Sequence, residues 1–125
     1  MREILFKAKR IDNGEWVEGQ YCYIRNPKTG SGEPKKHLIC NGTNVFNVSV
    51  DPETVCQYTG LTDKKMEKAF ENHKVYDPHE NRVFTIKWDE ELAAFFLMDD
   101  DGWMNKDIAR LPYCEIIGSI HDIQK

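Results

Sequence analysis

"EILFKAKRIDNGEWVEGQYCYIR", residues 3–25, decides the fold class. Ile4, Phe6 and Ala8 alternate with Leu5, Lys7 and Lys9, the two-residue period of a strand with one apolar face. Asn13-Gly14 follows, the dipeptide best suited to a two-residue type I′ turn, and Trp16 to Arg25 is rich in strand formers. The stretch reads as an antiparallel hairpin. "HLIC" (37–40) and "VFNVSV" (45–50) extend it, so residues 2–50 are expected to form a twisted antiparallel meander. Trp16, a single tryptophan on a strand, is read as a core residue rather than a ligand platform.

The other half has strands of its own. "RVFTIKW" (82–88) sets Phe84, Ile86 and Trp88 against Thr85 and Lys87, and "LAAFFLM" (92–98) is apolar enough for a strand buried on both sides. "NKDIARLPY" (105–113) reads as an irregular or helical turn stopped by Pro112, and "EIIGSIHDI" (115–123) as a closing strand. Phe84, Ile86, Trp88, Phe95 and Ile116 are the expected core cluster. Short strands with tight turns are what a small SH3-like barrel needs, because closure removes exposed edges. Between the halves, "TDKKMEKAFENH" (62–73) has helical composition, with Met66 and Phe70 spaced i, i+4 and Thr62 as a candidate N-cap. The expected architecture is therefore mainly β: an N-terminal meander over 1–62, then one short helix and a C-terminal SH3-like barrel within 63–125, the two together forming one or two compact units.

At 125 residues and 14.6 kDa the chain can fold by itself, burying roughly two thirds of its unfolded surface. No run approaches the ~18 apolar residues of a membrane helix, and the N-terminus lacks the apolar stretch of a signal peptide, so a cytoplasmic protein without membrane contact is expected. In a reducing cytosol Cys22, Cys40, Cys56 and Cys114, none in a C-x-x-C pair, read as small apolar residues rather than disulfides or zinc ligands. "DDDGW" (99–103) resembles a calcium loop only superficially, since the frame places Leu97 and Ile108 where carboxylates are required. No cofactor or metal is expected. The sequence also has no Gly-x-Ser-x-Gly, no phosphate-cradling glycine loop and no His-Glu-x-x-His, so an enzyme would need a cryptic site assembled from distant residues.

Charge is uneven. Residues 1–62 carry 8 basic and 7 acidic side chains, residues 63–125 carry 9 and 14, giving the net −4. That balance is a poor footprint for nucleic acid, whose binding depends on neutralising phosphates. The basic exception is Arg25, Lys28, Lys35 and Lys36 around "NPKTGSGEPKKH" (26–37), a Gly- and Pro-rich stretch that reads as a solvated loop and a weak candidate interaction surface.

Four segments carry a resemblance. "MREILFKAKRIDNGEWVEG" (1–19), "VDPETVCQYTGL" (50–61), "FENHKV" (70–75) and "EIIGSIHD" (115–122) together resemble the YopX family of phage and prophage proteins, in the same order and over nearly the whole chain. The resemblance implies a small β-rich fold, a phage or bacterial origin and no established molecular role. In "VDPETVCQYTGL" Asp51 and Pro52 suit a capped turn, and Gly60 is open to positive φ. The chain departs from the family at three places. Cys56 stands for a Gly, so positive φ is not required there, and His73-Lys74 stand for Asp-Ile. Asp63-Lys64-Lys65-Met66 replaces an Asp-Lys-Asn-Gly turn and is expected to trade a hairpin for helical propensity. The expected role is a non-enzymatic module whose partner is a phage or bacterial host protein. A nucleic acid held by the basic loop around 25–37 is the alternative, and self-association is compatible with either.

Overall fold

The computed structural model describes residues 3–24, 36–40, 47–101 and 105–122. The chain is mainly β throughout, in two compact units, one formed by Glu3–Gln57 and one beginning at Tyr58.

In the first unit β1 (Phe6–Lys9) pairs antiparallel with β2 (Trp16–Ile24), with Phe6 opposite Gly19 and Lys9 opposite Trp16. β3 (Lys36–Cys40) pairs with β2 on its other side and with β4 (Asn47–Ser49), giving the expected meander. Its core is Ala8, Ile39 and Val50, fully buried, with Phe6, Val17, Tyr21, Val48 and Val55 packed against them. The first turn differs from the expected type I′. Gly14 alone takes positive φ (72°), its amide bonds Arg10 O, and the Asn13 carboxamide accepts from the Glu15 amide, so residues 11–14 make a wider loop. Trp16 also differs, standing half-buried outside the core beside Lys7 and Lys9. The strand period explains this, because Trp16 lies opposite Lys9 on the face away from Ala8.

Asp51 and Pro52 do form a capped turn. Pro52–Thr54 is a single 3-10 turn whose Glu53 amide bonds the Asp51 carboxylate. Strand β5 (Cys56–Thr62) follows, its first residues opposite Lys7 and Phe6 of β1, and Cys56 sits in extended backbone as expected.

In the second unit, the latter part of β5 pairs with β6 (Lys68–Phe70), and Gly60 (φ 90°) lies where their register shifts. The expected helix over 62–73 is absent. Residues 63–67 instead close a hairpin: the Met66 amide bonds Asp63 O, the Asp63 amide bonds Glu67 O, and Met66 takes the left-handed φ of 66°. A three-residue loop of this kind needs one left-handed position, usually Gly, so the hairpin is kept with Met66 in that role. Met66 is 79% exposed and makes no helical pair with the buried Phe70. The next turn uses Asn72 (φ 70°), and His73 Nδ1 accepts the Phe70 amide at 3.1 Å, the acceptor role an aspartate could also fill.

β7 (His73–Asp77), β8 (Arg82–Asp89), β9 (Ala94–Asp99), β10 (Asn105–Asp107) and β11 (Glu115–Ser119) form an antiparallel sheet in the order β10-β9-β8-β7-β11. Before β11 the expected irregular turn is a 3-10 segment, Ile108–Tyr113, capped by Asp107 and containing Pro112. Among the described residues these five strands make an antiparallel ladder in which β10 and β11 are the outer strands.

The core of this unit is Ala69, Val75, Phe84, Ile86, Leu97, Leu111 and Cys114, with Phe95 and Ile116 packed against it. Trp88 is a correction: it shares the face of Phe84 and Ile86 but lies at the far end of β8, 42% exposed, its ring edge-on to Phe95 at 4.9 Å. β9 differs too. Leu92 (75% exposed) belongs to the turn before the strand, and the strand itself buries Leu97 while Phe96 and Met98, facing the other way, are only half-buried.

Candidate interaction surface

Of the four basic residues singled out in the sequence, Arg25, Lys28 and Lys35 lie outside the described residues, as does the loop reading of 26–35. Lys36 opens β3, where its backbone pairs with Ile24.

The β2–β3 hairpin carries an aromatic column the sequence did not reveal. Tyr21 lies opposite Ile39 and Tyr23 opposite His37, so all four side chains share one face. The His37 ring lies parallel to Tyr21 at a centroid distance of 6.0 Å, with Tyr21 Oη and His37 Nδ1 2.6 Å apart. Tyr23 tilts against the other part of the ring at 6.0 Å and is 52% exposed. The column therefore runs from the core, where Tyr21 packs by Phe6, out to solvent at Tyr23. Burial raises the Tyr21 phenol above its ordinary range, keeping it neutral as a donor or acceptor to His37. Only strand pairing could reveal this column, because Tyr23 and His37 are far apart in the chain.

On the opposite face of the same sheet, Lys7 Nζ lies 4.4 Å and Lys9 Nζ 5.4 Å from the Trp16 ring centre. Further along that face, Cys22 and Cys40 bring their sulfurs to 3.6 Å. Burial and the neighbouring Cys40 thiol push the Cys22 thiol up. Cys56 and Cys114 are fully buried, as the apolar reading expects; Cys22 and Cys40 are only half-buried.

The acidic groups of the second unit are tied into structure. Asp77 is fully buried and takes a two-pronged ion pair from Arg110, with Nη2 at 2.9 and 3.0 Å, plus the amides of His79 and Glu80. Burial pushes its carboxyl up, but the Arg110 and amide hydrogen bonds outweigh it and hold it below the usual range. Asp99, the first residue of the DDDGW stretch, is buried and paired with Arg82 at 3.2 Å. Burial pushes the Cys114 thiol up to about 11, so it is no nucleophile at neutral pH. Among the described residues no three His, Cys, Asp or Glu side chains come together as a metal set, and no helix is long and apolar enough to cross a membrane.

The family model described as YopX protein matches residues 5–123, and no curated protein shows a significant match. Because that match takes in both units and every strand, the chain belongs to the YopX family.

Proposed function

We propose that this protein is a non-enzymatic, phage- or prophage-encoded accessory module that binds a phage or bacterial host protein in the bacterial cytoplasm through the end of its β2–β3 hairpin. The observation that carries the reading is the exposed Tyr23 ring tilted against His37, which is itself stacked on Tyr21, on a hairpin whose connecting sequence holds Arg25, Lys28, Lys35 and Lys36. Tyr and Arg are over-represented where protein interfaces concentrate their binding energy, since a ring held by its neighbours loses little rotamer freedom on binding. The family resemblance supports the phage setting. The paired state of Asp77, Asp99 and Arg110 supports a non-catalytic role for the charges most deeply placed.

A nucleic-acid reading has one observation of its own, the Lys7 and Lys9 ammonium groups gathered at Trp16, a basic and aromatic combination that can serve a phosphate and a base. Affinity capture from host lysate, with wild type beside Tyr23→Ala and a variant in which Lys28, Lys35 and Lys36 are Ser, tests the first reading. Specific capture should fall in both variants. Capture unchanged in both, together with low-salt mobility shifts of nucleic acid that vanish in Lys7→Ser/Lys9→Ser, would replace it with the second.

A further inference from the structure

We propose that Cys22 and Cys40 form a dithiol site that reacts with low-molecular-weight disulfides to give a reversible bond between β2 and β3. The register places Cys22 opposite Leu38 and Gln20 opposite Cys40, so the two cysteines are diagonal neighbours on one face. Their sulfurs are 3.6 Å apart and both residues are half-buried, close enough to join and open enough for a small reagent. The position of Cys40 is tightly set: a Cβ at Gly19 would collide with the Cys40 carbonyl oxygen, so only glycine lets β3 approach β2 there.

The other two thiols are internal controls. Cys56 Sγ donates to Thr54 O at 3.2 Å and Cys114 Sγ to Arg110 O at 3.3 Å, both in fully buried residues. They share the chain and the solution but are fully buried, whereas Cys22 and Cys40 are half-buried.

The chemistry balances without a metal or an enzyme. One thiol of the pair, as its thiolate, attacks a sulfur of RS–SR, forming a mixed disulfide and releasing RS⁻. The second thiolate attacks the protein sulfur of that mixed disulfide, forming the Cys22–Cys40 bond and releasing another RS⁻. The two cysteine protons end on the two leaving thiolates, so two cysteine thiols and one RS–SR become one protein disulfide and two RSH. The second step is intramolecular and fast because the sulfurs are already neighbours. Burial of the Cys22 thiol makes the first step accelerate with rising pH. Diagonal neighbours sit ~7–8 Å apart, roughly 2 Å beyond the commonest Cα separation of a disulfide, so the bond draws the strands together and is easily reduced again.

The test treats the folded protein with oxidised glutathione at pH 8, blocks remaining thiols, and maps disulfides by non-reducing proteolysis and mass spectrometry. The free-thiol titre should fall from the four of the reduced chain to two, with one linked peptide joining Cys22 to Cys40 and full recovery on adding a monothiol. Cys22→Ser and Cys40→Ser should each stop at the mixed disulfide on the remaining cysteine, with Cys56 and Cys114 still free. Wild-type mapping needs no variant, so the test survives if a serine variant fails to fold. A titre that stays at four, a stable mixed disulfide in wild type, or a link through Cys56 or Cys114 would overturn the proposal.

Discussion

Replacing Asp63 by Ala probes the point where the expected helix gives way to a hairpin. Its Oδ1 accepts the amides of Lys65 (2.8 Å) and Glu67 (2.9 Å), and its Oδ2 accepts the amide of Ile116 (3.0 Å). One buried carboxylate thus closes the 63–67 loop and ties it to β11, 53 residues away. A hydrogen bond to a charged acceptor contributes ~1.5–3 kcal/mol. The Lys65 and Glu67 amides belong to an exposed turn and regain water when the carboxylate is lost, whereas the Ile116 amide is left without an acceptor inside the fold. The loss for Asp63→Ala should therefore be ~3–5 kcal/mol, a large share of the ~5–15 kcal/mol typical of a domain. Asp63→Asn should lose less, ~2–3 kcal/mol, because the amide oxygen can still serve the loop while its NH₂ faces the Ile116 donor.

The pH dependence adds a second check on Asp63. Burial raises its carboxyl, but the Ile116, Glu67 and Lys65 amides and the Lys65 charge outweigh it, leaving the folded value below the ordinary one. A depressed carboxyl stabilises the fold above its unfolded pKa, ~3.9, and that contribution disappears as pH falls through the folded value. Urea unfolding of both proteins at pH 7 and at stepwise lower pH should show the gap between wild type and Asp63→Ala narrowing below about pH 4. A gap under ~1 kcal/mol at pH 7, or one that stays constant into acid, would refute the assignment of this carboxylate as the tie.

Three further outcomes follow from the same geometry. Met66→Gly should raise stability by up to ~1 kcal/mol in chemical denaturation, because glycine meets the left-handed φ without the Cβ penalty and Met66 packs against little. Phe84→Ala should cost ~3–5 kcal/mol, whereas Trp88→Ala, at the exposed end of the same face, should cost clearly less; equal losses in thermal unfolding would mean that Trp88 is buried after all. Gly19→Ala should lower stability by ~1–3 kcal/mol, read from the urea midpoint, since the added methyl meets the Cys40 carbonyl.

Local periodicity by itself determined a good deal. The alternation of Phe6 and Ala8 with Lys7 and Lys9, and of Phe84 and Ile86 with Thr85 and Lys87, specifies strands and their buried faces, because side-chain direction repeats every two residues whatever the rest of the chain does. The capped turn at Asp51-Pro52 and the extended backbone at Cys56 were legible for the same reason: their determinants lie within a few residues. The resemblance carried by four ordered segments sufficed for the family.

Tertiary structure decided what depends on position along an element or on a distant partner. Trp88 has the correct face and the wrong end of it, and burial at an end depends on what covers the sheet there. Residues 63–67 have helical composition, but the Ile116 amide offers their aspartate a partner that no local reading contains, and that contact favours the hairpin over weak helical propensity. The Tyr21–His37–Tyr23 column and the Cys22–Cys40 pair likewise arise from the β2–β3 register, which joins residues 12 to 20 positions apart. A sequence specifies which faces are apolar through local sterics; which residues meet is specified by strand pairing, a property of the whole sheet.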